Sequence, residues 1–402
     1  MSKNSTLLCP TGLYASEYKN FHKLLLGSWC FNSKKKIKKN FTICSYPWDN
    51  KKILSSDYDY ILRIKKKILL KLATYLNDYH SIDESADYWK IIIGPWVTIF
   101  CQTLLERWRN FCHVQKNYSF KYVVNSNQNF TDFVPRNFEE FIRHTSTDNW
   151  NQYIYEDIFK FYLNKNFFIT RNHKKITVNK PNKIPFKRIV FDIINNFISH
   201  IFFYNKKKFF ICESYLEKIE EFKLNFILGY PSITLSPVYP DIKVNLNHKK
   251  RNERIFTKNE ISDDLFLRFL NNVLLKNIPT SFLEEFFNIK KFVKNLNWPE
   301  KPKVFFTSHC LVVKTLCSFY LAEKKKIGCK LIHGQHGGYY GTALFNTIED
   351  LELDIADKYL SWGWTRGGKY KKKNNKIWNI EEKIKFTRRK KDFFFIRSKI
   401  TV

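Results

Sequence analysis

A loop rich in glycine and histidine carries the residue types needed for acid–base chemistry and anion binding. It reads His-Gly-Gln-His-Gly-Gly-Tyr-Tyr-Gly over residues 333–341. Histidine titrates near neutral pH, so His336 is a candidate catalytic base, and glycines let backbone N–H groups approach a charged ligand. A tight turn with incidental histidines is the alternative. The loop residues expected to bind substrate are Gln335, Gly337, Gly338, Tyr339 and Gly341.

Two short apolar runs must position this loop. Residues 304–306 are apolar, residues 329–332 are apolar apart from Lys330, and a helix-like run, Leu311–Lys326, separates the two. Strand, helix and strand in this order predict a right-handed parallel crossover. Ligands bind beyond the carboxyl ends of such strands. Ser308 and His309, which follow the first run, should therefore join the loop in one substrate site.

The amino-terminal part offers two further strand ends. Residues 24–26 precede Trp29, a candidate substrate contact, and residues 41–44 precede Asp49. Asp49 is either a second catalytic residue or a helix cap. We expect all four strands to share one parallel sheet, whose carboxyl ends would gather four side chains around one cleft: Trp29, Asp49, His309 and His336.

Other aromatic and histidine residues are predicted to lie either in the core or in the substrate site. Three tryptophans in a long apolar segment are expected in the core: Trp89, Trp96 and Trp108. Arg107 lies among apolar residues and needs a partner, for which Glu106 and Asp87 are candidates. His80 is the residue of this region expected to contact substrate. Trp362 and Trp364 either close over a ligand or mark a hinge.

Composition narrows the class of protein. The chain has 402 residues, 44% of them hydrophobic, and a formal net charge of +32. This charge indicates either an anionic partner or a general bias toward lysine, and the basic runs lack the aromatic interleaving of single-strand nucleic-acid binders. Nine cysteines are scattered singly, without spacing diagnostic of a metal, so no metal site is predicted. Neither a signal peptide nor a membrane-spanning run is evident, which favours a cytoplasmic protein.

Nine short motifs in order resemble one family, the bacterial surface-carbohydrate transferases typified by a spirochaete polysaccharide-locus protein. The most specific are Gly-Gln-His-Gly-Gly-Tyr-Tyr-Gly at 334–341 and Ser-Trp-Gly-Trp at 361–364. The others are Leu-Leu-Gly-Ser-Trp-Cys (25–30), Tyr-Pro-Trp-Asp (46–49), Leu-Asn-Asp-Tyr-His (76–80), Tyr-Trp-Lys-Ile-Ile-Ile-Gly-Pro-Trp (88–96), Glu-Arg-Trp (106–108), Asp-Asn-Trp-Asn (148–151) and Thr-Ser-His (307–309).

The resemblance implies an α/β fold with a Rossmann-like parallel sheet, the N-terminal domain of a GT-B-like two-domain glycosyltransferase. Residues 1–364 would form this acceptor-type domain, with a helical insertion at about 164–299. Residues 365–402 would be a basic linker and the start of a truncated second domain.

The resemblance also implies transfer of a sugar from a nucleotide-activated donor to surface polysaccharide or lipopolysaccharide. A non-enzymatic glycan-binding or inactive remnant domain is the alternative. The expected partners are the nucleotide sugar, the glycan acceptor and, at the periphery, an anionic inner membrane, with no permanently bound cofactor and no nucleic acid.

Overall fold

The protein is described from a computed structural model over residues 6–32, 40–171, 208–229, 237–261 and 263–364, and over the backbone of 376–379. The chain divides into two compact units. Unit 1 comprises Met1–Asp83, Trp96–Asn179 and Lys243–Phe286. Unit 2 comprises Glu84–Pro95, Lys180–Ile242 and Phe287–Val402.

Each unit contains a five-stranded parallel sheet. The strands in chain order are β1 (Thr6–Cys9), β2 (His22–Leu25), β3 (Phe41–Ile43), β4 (Tyr122–Asn125), β5 (Phe168–Thr170), β6 (Phe209–Ile211), β7 (Val304–Thr307), β8 (Lys330–Gly334), β9 (Lys358–Ser361) and β10 (Lys376–Asn379). The first sheet has the order β3-β2-β1-β4-β5, and the second runs β10-β9-β8-β7-β6. The first order matches the start of the Rossmann arrangement.

Helices connect these strands. They are α1 (Lys51–His80), α2 (Ala86–Asn117), α3 (Phe138–Thr145), α4 (Asp148–Tyr162), α5 (Lys218–Ile227), α6 (His248–Arg251), α7 (Leu265–Asn277), α8 (Phe286–Lys294), α9 (Cys310–Val313), α10 (Thr315–Lys326) and α11 (Thr347–Ile355). Among the described helices, none combines the length and apolar character needed to cross a bilayer.

The helix α1 illustrates how local sequence sets an element. Asn50 caps its start, because the side-chain oxygen accepts hydrogen bonds from the backbone N–H groups of Lys52 and Ile53. Ser81 ends it in the left-handed conformation, with φ of 54°. Between these ends, buried apolar side chains recur every three or four residues, which commits one face of the helix to the core: Ile61, Ile64, Ile68, Leu72 and Leu76.

Aromatic packing dominates both cores. In unit 1 the Trp96 ring stacks on Phe100 at 4.9 Å, and Phe141 packs edge-on against Trp150. In unit 2 the rings of Phe210 on β6 and Phe305 on β7 stack at 5.1 Å. The predicted core tryptophans are confirmed, since each is at most 3% exposed: Trp89, Trp96 and Trp108.

The prediction of one sheet shared by four strands is wrong. Strands β2 and β3 belong to the first sheet, whereas β7 and β8 belong to the second. Both sheets are parallel and of similar apolar composition, so the sequence pattern gave no sign of the division. The predicted fold class, α/β with Rossmann-like parallel sheets, is confirmed.

Most of the predicted terminal segment 365–402 lies outside the described residues, apart from the backbone of β10.

Candidate functional site

The carboxyl ends of β7 and β8 bring the predicted histidines of unit 2 together. The two strands pair in parallel with Thr307 opposite His333, so both chains leave the sheet at the same edge. His309 follows β7, and the loop carrying His336 follows β8. The two imidazole centroids lie 5.2 Å apart, packed edge to face. The predicted parallel pairing of the two strands, with His309 and His336 at one edge, is therefore confirmed.

A buried carboxylate holds His336. The Nε2 atom of His336 lies 2.9 Å from Oε1 of Glu352, a residue of α11 whose side chain is fully buried. The hydroxyl of Tyr340 lies 2.6 Å from the same Nε2 and donates to Oε1 of Glu352 at 3.1 Å. The three groups form a closed triangle, which fixes the plane of the imidazole.

This triangle selects one tautomer of the imidazole. A carboxylate accepts hydrogen bonds, so the proton of a neutral His336 resides on Nε2 and Nδ1 keeps its lone pair. Burial, reinforced by the charge of Glu352, raises the pKa of Tyr340 far above its usual range. Tyr340 therefore stays protonated and remains a donor. The arrangement presents Nδ1 of His336 as a proton acceptor, the geometry of a general base oriented by a carboxylate.

Tyr215 adds an aromatic wall that the sequence reasoning missed. It follows β6, is 55% exposed, and packs edge-on against the ring of His309 at 5.3 Å. The same ring lies nearly parallel to His336 at 6.0 Å. Glu213 and Tyr215 both adopt positive φ, 53° and 60°, a conformation that non-glycine residues rarely hold. Strained backbone thus presents this ring beside the two histidines.

His309 is set up as a neutral imidazole. Burial, followed by the nearby His336, lowers the pKa of His309 below its ordinary value. The ammonium group of Lys314 acts in the same direction. A neutral His309 can accept or donate a hydrogen bond without adding charge to the site.

Gln335 fastens the loop to the segment after β9. Its Oε1 accepts hydrogen bonds from the backbone N–H of Trp362 and from the indole of Trp364, both at 2.8 Å. Its Nε2 donates to the carbonyl of Gly337 at 2.7 Å. Gln335 is 5% exposed, so it stabilises the loop from its buried side. Trp362 is exposed and remains available for the predicted substrate contact.

The three glycines of the loop differ in how much space a side chain would have at each position. Gly341 has φ of +75°, and a Cβ there would lie 2.4 Å from the Trp364 ring. A Cβ on Gly337 would lie 3.0 Å from Tyr339. At Gly338 a Cβ would meet nothing within 4 Å, so its surroundings are open. Gly338, Tyr339 and Gly341 are the exposed residues of the loop, and of the two exposed glycines Gly338 is the one with open space around it.

The predicted substrate residue Ser308 and its neighbour on the next strand, His333, are both buried at this edge. Ser308 is 3% exposed, and its hydroxyl donates to the carbonyl of Ser214 at 3.2 Å. This bond ties the end of β7 to the Tyr215 segment. His333 has no exposed surface and stacks on Tyr359 at 5.6 Å. Both residues lie beneath the surface formed by the other two histidines.

Comparison with known proteins identifies the family. A family model described as LIC12162 family transferase matches residues 7–399, nearly the whole chain. The chain belongs to this family. The search of curated proteins found no match, nor did the search of solved structures. Membership of the LIC12162 family establishes the broad class, a transferase, and the paired His336 and Glu352 lie within the matched region.

In this member of the LIC12162 family, the amino-terminal candidates lie in unit 1. The Trp29 indole donates to the carbonyl of Pro10 at 3.0 Å and covers Gly27, where a Cβ would lie 2.1 Å from the ring. Asp49 is exposed beside the start of α1, which Asn50 caps, so the cap interpretation of Asp49 is wrong. A common cleft with His336 stays a prediction.

His80 of this LIC12162 family transferase has packing partners of its own. Its Nε2 lies 3.0 Å from the carbonyl oxygen of Phe282, and its ring stacks on Phe286 at 4.3 Å. Burial lowers the pKa of His80, which favours the neutral form. These contacts favour a structural role over the predicted substrate contact. Arg107 pairs with Glu106, one of its two predicted partners.

Two functional candidates escaped sequence reasoning in this LIC12162 family transferase for different reasons. Glu352 lies in an acidic, helix-like run of the sequence, but many exposed helices have that composition. The sequence does not show which face of this helix packs inward, and it is this packing that buries the Glu352 carboxylate fully. Tyr215 lies in a short segment after a three-residue strand, without glycine or histidine nearby to draw attention.

Proposed function

We propose that this transferase moves a sugar from a nucleotide-activated donor to a hydroxyl group of surface polysaccharide or lipopolysaccharide. The observation that carries the proposal is the pairing of His336 with the buried Glu352 at the carboxyl edge of a parallel sheet. Such an edge is where α/β proteins bind nucleotides. The family, a transferase family, supports the reaction class.

The proton transfer follows from the tautomer of His336. With its Nε2 proton held by Glu352, the Nδ1 lone pair would accept the proton of the acceptor hydroxyl as the sugar–oxygen bond forms. Glu352 would stabilise the imidazolium so created, as carboxylates do in catalytic triads. Tyr340 would keep the ring in place through its bond to the same carboxylate.

The donor phosphates would bind where positive charge and backbone N–H groups converge. Gly338 has open space around it, and Gly337 precedes it in the loop. Lys314 lies within electrostatic range of His309 and directly precedes the twelve-residue helix α10. Stabilising charge on a departing nucleotide phosphate is the main task of a transferase of this kind. Tyr215 would offer a flat surface to a base or a sugar ring.

We further propose that the two units correspond to the two halves of a GT-B-like enzyme. Each unit has its own five-stranded parallel sheet, which supports this assignment. Because both sheets lie within the described residues, we expect the 402-residue protein to turn over substrate.

The test is a turnover assay on the full chain. A panel of uridine-, guanosine- and cytidine-linked sugars is offered with polysaccharide or lipopolysaccharide as acceptor, and nucleotide release is measured. We expect acceptor-dependent release that falls by roughly 10²-fold or more in His336→Ala. The matched control is His248→Ala, an exposed histidine of unit 1, which should retain activity. Glycan binding without release for any donor would contradict the proposal and favour the glycan-binding alternative.

A further inference from the structure

Three buried cysteine side chains converge in unit 2 close to the candidate site. Cys212 follows β6, Cys310 begins α9, and Cys317 lies in α10. Their sulfur atoms all lie within 4.8 Å of one another, and none of the three residues is exposed. Three thiols from separate parts of the chain therefore lie close together in one cluster.

The spacing of the sulfur atoms suits a metal better than a disulfide. The Sγ atoms of Cys212 and Cys317 are 3.9 Å apart. A tetrahedral zinc ion with Zn–S bonds of about 2.3 Å separates its sulfur ligands by about 3.8 Å. A disulfide requires about 2.05 Å, so forming one would move the backbone or the rotamers. All nine cysteines are free thiols in this structure.

The donor atoms of the cluster favour particular ions, because all three are cysteine sulfurs. The thiolate is the form of cysteine that binds metals. Soft sulfur ligands select zinc and similar ions over magnesium or calcium.

His333 is the candidate fourth donor. It pairs with Thr307 across β7 and β8, and the Thr307 hydroxyl accepts a hydrogen bond from the backbone N–H of Cys310. The His333 ring is fully buried, and neither ring nitrogen has a hydrogen-bond partner among the described residues. Its nitrogens lie outside the group of atoms within 4.8 Å of one another, so the ring would turn toward the sulfurs to complete a tetrahedral set. Nδ1 of His333 is 3.8 Å from Oε2 of Glu352. Zinc-bound histidines commonly pair their second nitrogen with a carboxylate.

We propose that Cys212, Cys310 and Cys317, with His333 as fourth ligand, bind a structural zinc ion or a similar soft divalent cation. This proposal differs from the sequence-based prediction of no metal and does not depend on the proposed sugar transfer. The ion would join β6, α9 and α10 beneath the candidate site. It would also place Glu352 between the metal ligand His333 and the candidate base His336.

The first test measures metal content. The full chain, purified from zinc-supplemented cells without chelators, should carry about one zinc ion per molecule by elemental analysis. Serine at Cys212, Cys310 or Cys317 should abolish stoichiometric zinc. The matched control is Cys329→Ser, which removes an equally buried thiol of unit 2 outside the cluster and should keep its zinc. A wild-type zinc content no higher than that of Cys310→Ser would overturn the proposal.

The second test examines the ligands directly. Cobalt substitution should give the sulfur-to-metal charge-transfer and visible bands of a tetrahedral thiolate site. His333→Phe should weaken metal affinity by at least about tenfold, and an unchanged affinity would overturn its assignment as ligand. A Cys212–Cys317 disulfide found by non-reducing mass spectrometry in freshly purified protein would overturn the metal site as a whole.

Discussion

The Nε2 atom of His336 lies 2.9 Å from Oε1 of Glu352, sixteen residues later in the chain. The loop after β8 supplies one partner, and the helix α11 supplies the other. Because Glu352 has no exposed surface, its charge is directed to the few groups around it. The orientation and the tautomer of the histidine therefore depend on a residue that no ligand need touch.

We expect Glu352→Gln to lower turnover by roughly 10²-fold or more, because the amide can hold the opposite tautomer of His336. Nucleotide release under the conditions given above measures the effect. The matched control is Asp354→Asn on the same helix, a partly exposed carboxylate that pairs with Lys90. Equal losses in the two variants would show that Glu352 has no special role.

The loop glycines provide a paired stability test. Gly341→Ala should destabilise the protein by about 1–3 kcal/mol, because φ is positive there and the new Cβ would collide with Trp364. Gly338→Ala, with open space around it, should change stability little. Denaturant unfolding followed by tryptophan fluorescence compares them. A smaller cost at Gly341 than at Gly338 would contradict the described loop.

A buried ion pair in unit 1 should be costly to break. The Arg251 guanidinium, 0% exposed, donates to both carboxylate oxygens of Glu284 at 2.7 and 2.6 Å and to two backbone carbonyls. Glu284→Gln should cost about 3–5 kcal/mol, since it leaves a buried charge unpaired. Glu220→Gln, which breaks the more exposed pair with Lys223, should cost less than about 1 kcal/mol. Chemical unfolding of both variants decides the comparison.

His80 should make stability depend on pH. Burial lowers its pKa in the folded protein, so below about pH 6.5 the unfolded chain binds more protons. The free energy of unfolding should therefore fall as pH decreases through this range. His80→Gln should reduce the difference in stability between about pH 7.5 and about pH 5.5. Identical pH dependence in wild type and His80→Gln would contradict this account.

The local elements were largely predictable from sequence. The helix-like run Leu311–Lys326 located α10, and the apolar runs located β7 and β8 within one or two residues. The polar ends of β7 and β8 then placed His309 beside His336. These features depend on residues that are close together in the chain, so they can be predicted from local sequence patterns.

Long-range choices were not predictable in the same way. Two parallel sheets with similar strands leave no local sign of which strands pair, so β2 and β7 were wrongly assigned to one sheet. The roles of Tyr215 and Glu352 depend on the register of distant elements around His336. The convergence of Cys212 with Cys310 and Cys317 likewise spans about a hundred residues of chain.

The bonds from Trp362 and Trp364 to Gln335 also set an order of assembly. When His336 has been synthesised, the two hydrogen-bond donors that hold its loop through Gln335 have not. These donors, Trp362 and Trp364, come 27 and 29 residues after Gln335. Glu352 must also emerge before the imidazole has a carboxylate partner. Since chains fold from the amino terminus during synthesis, acid–base competence would arise only once β9 has left the ribosome, long after the first sheet has its strands.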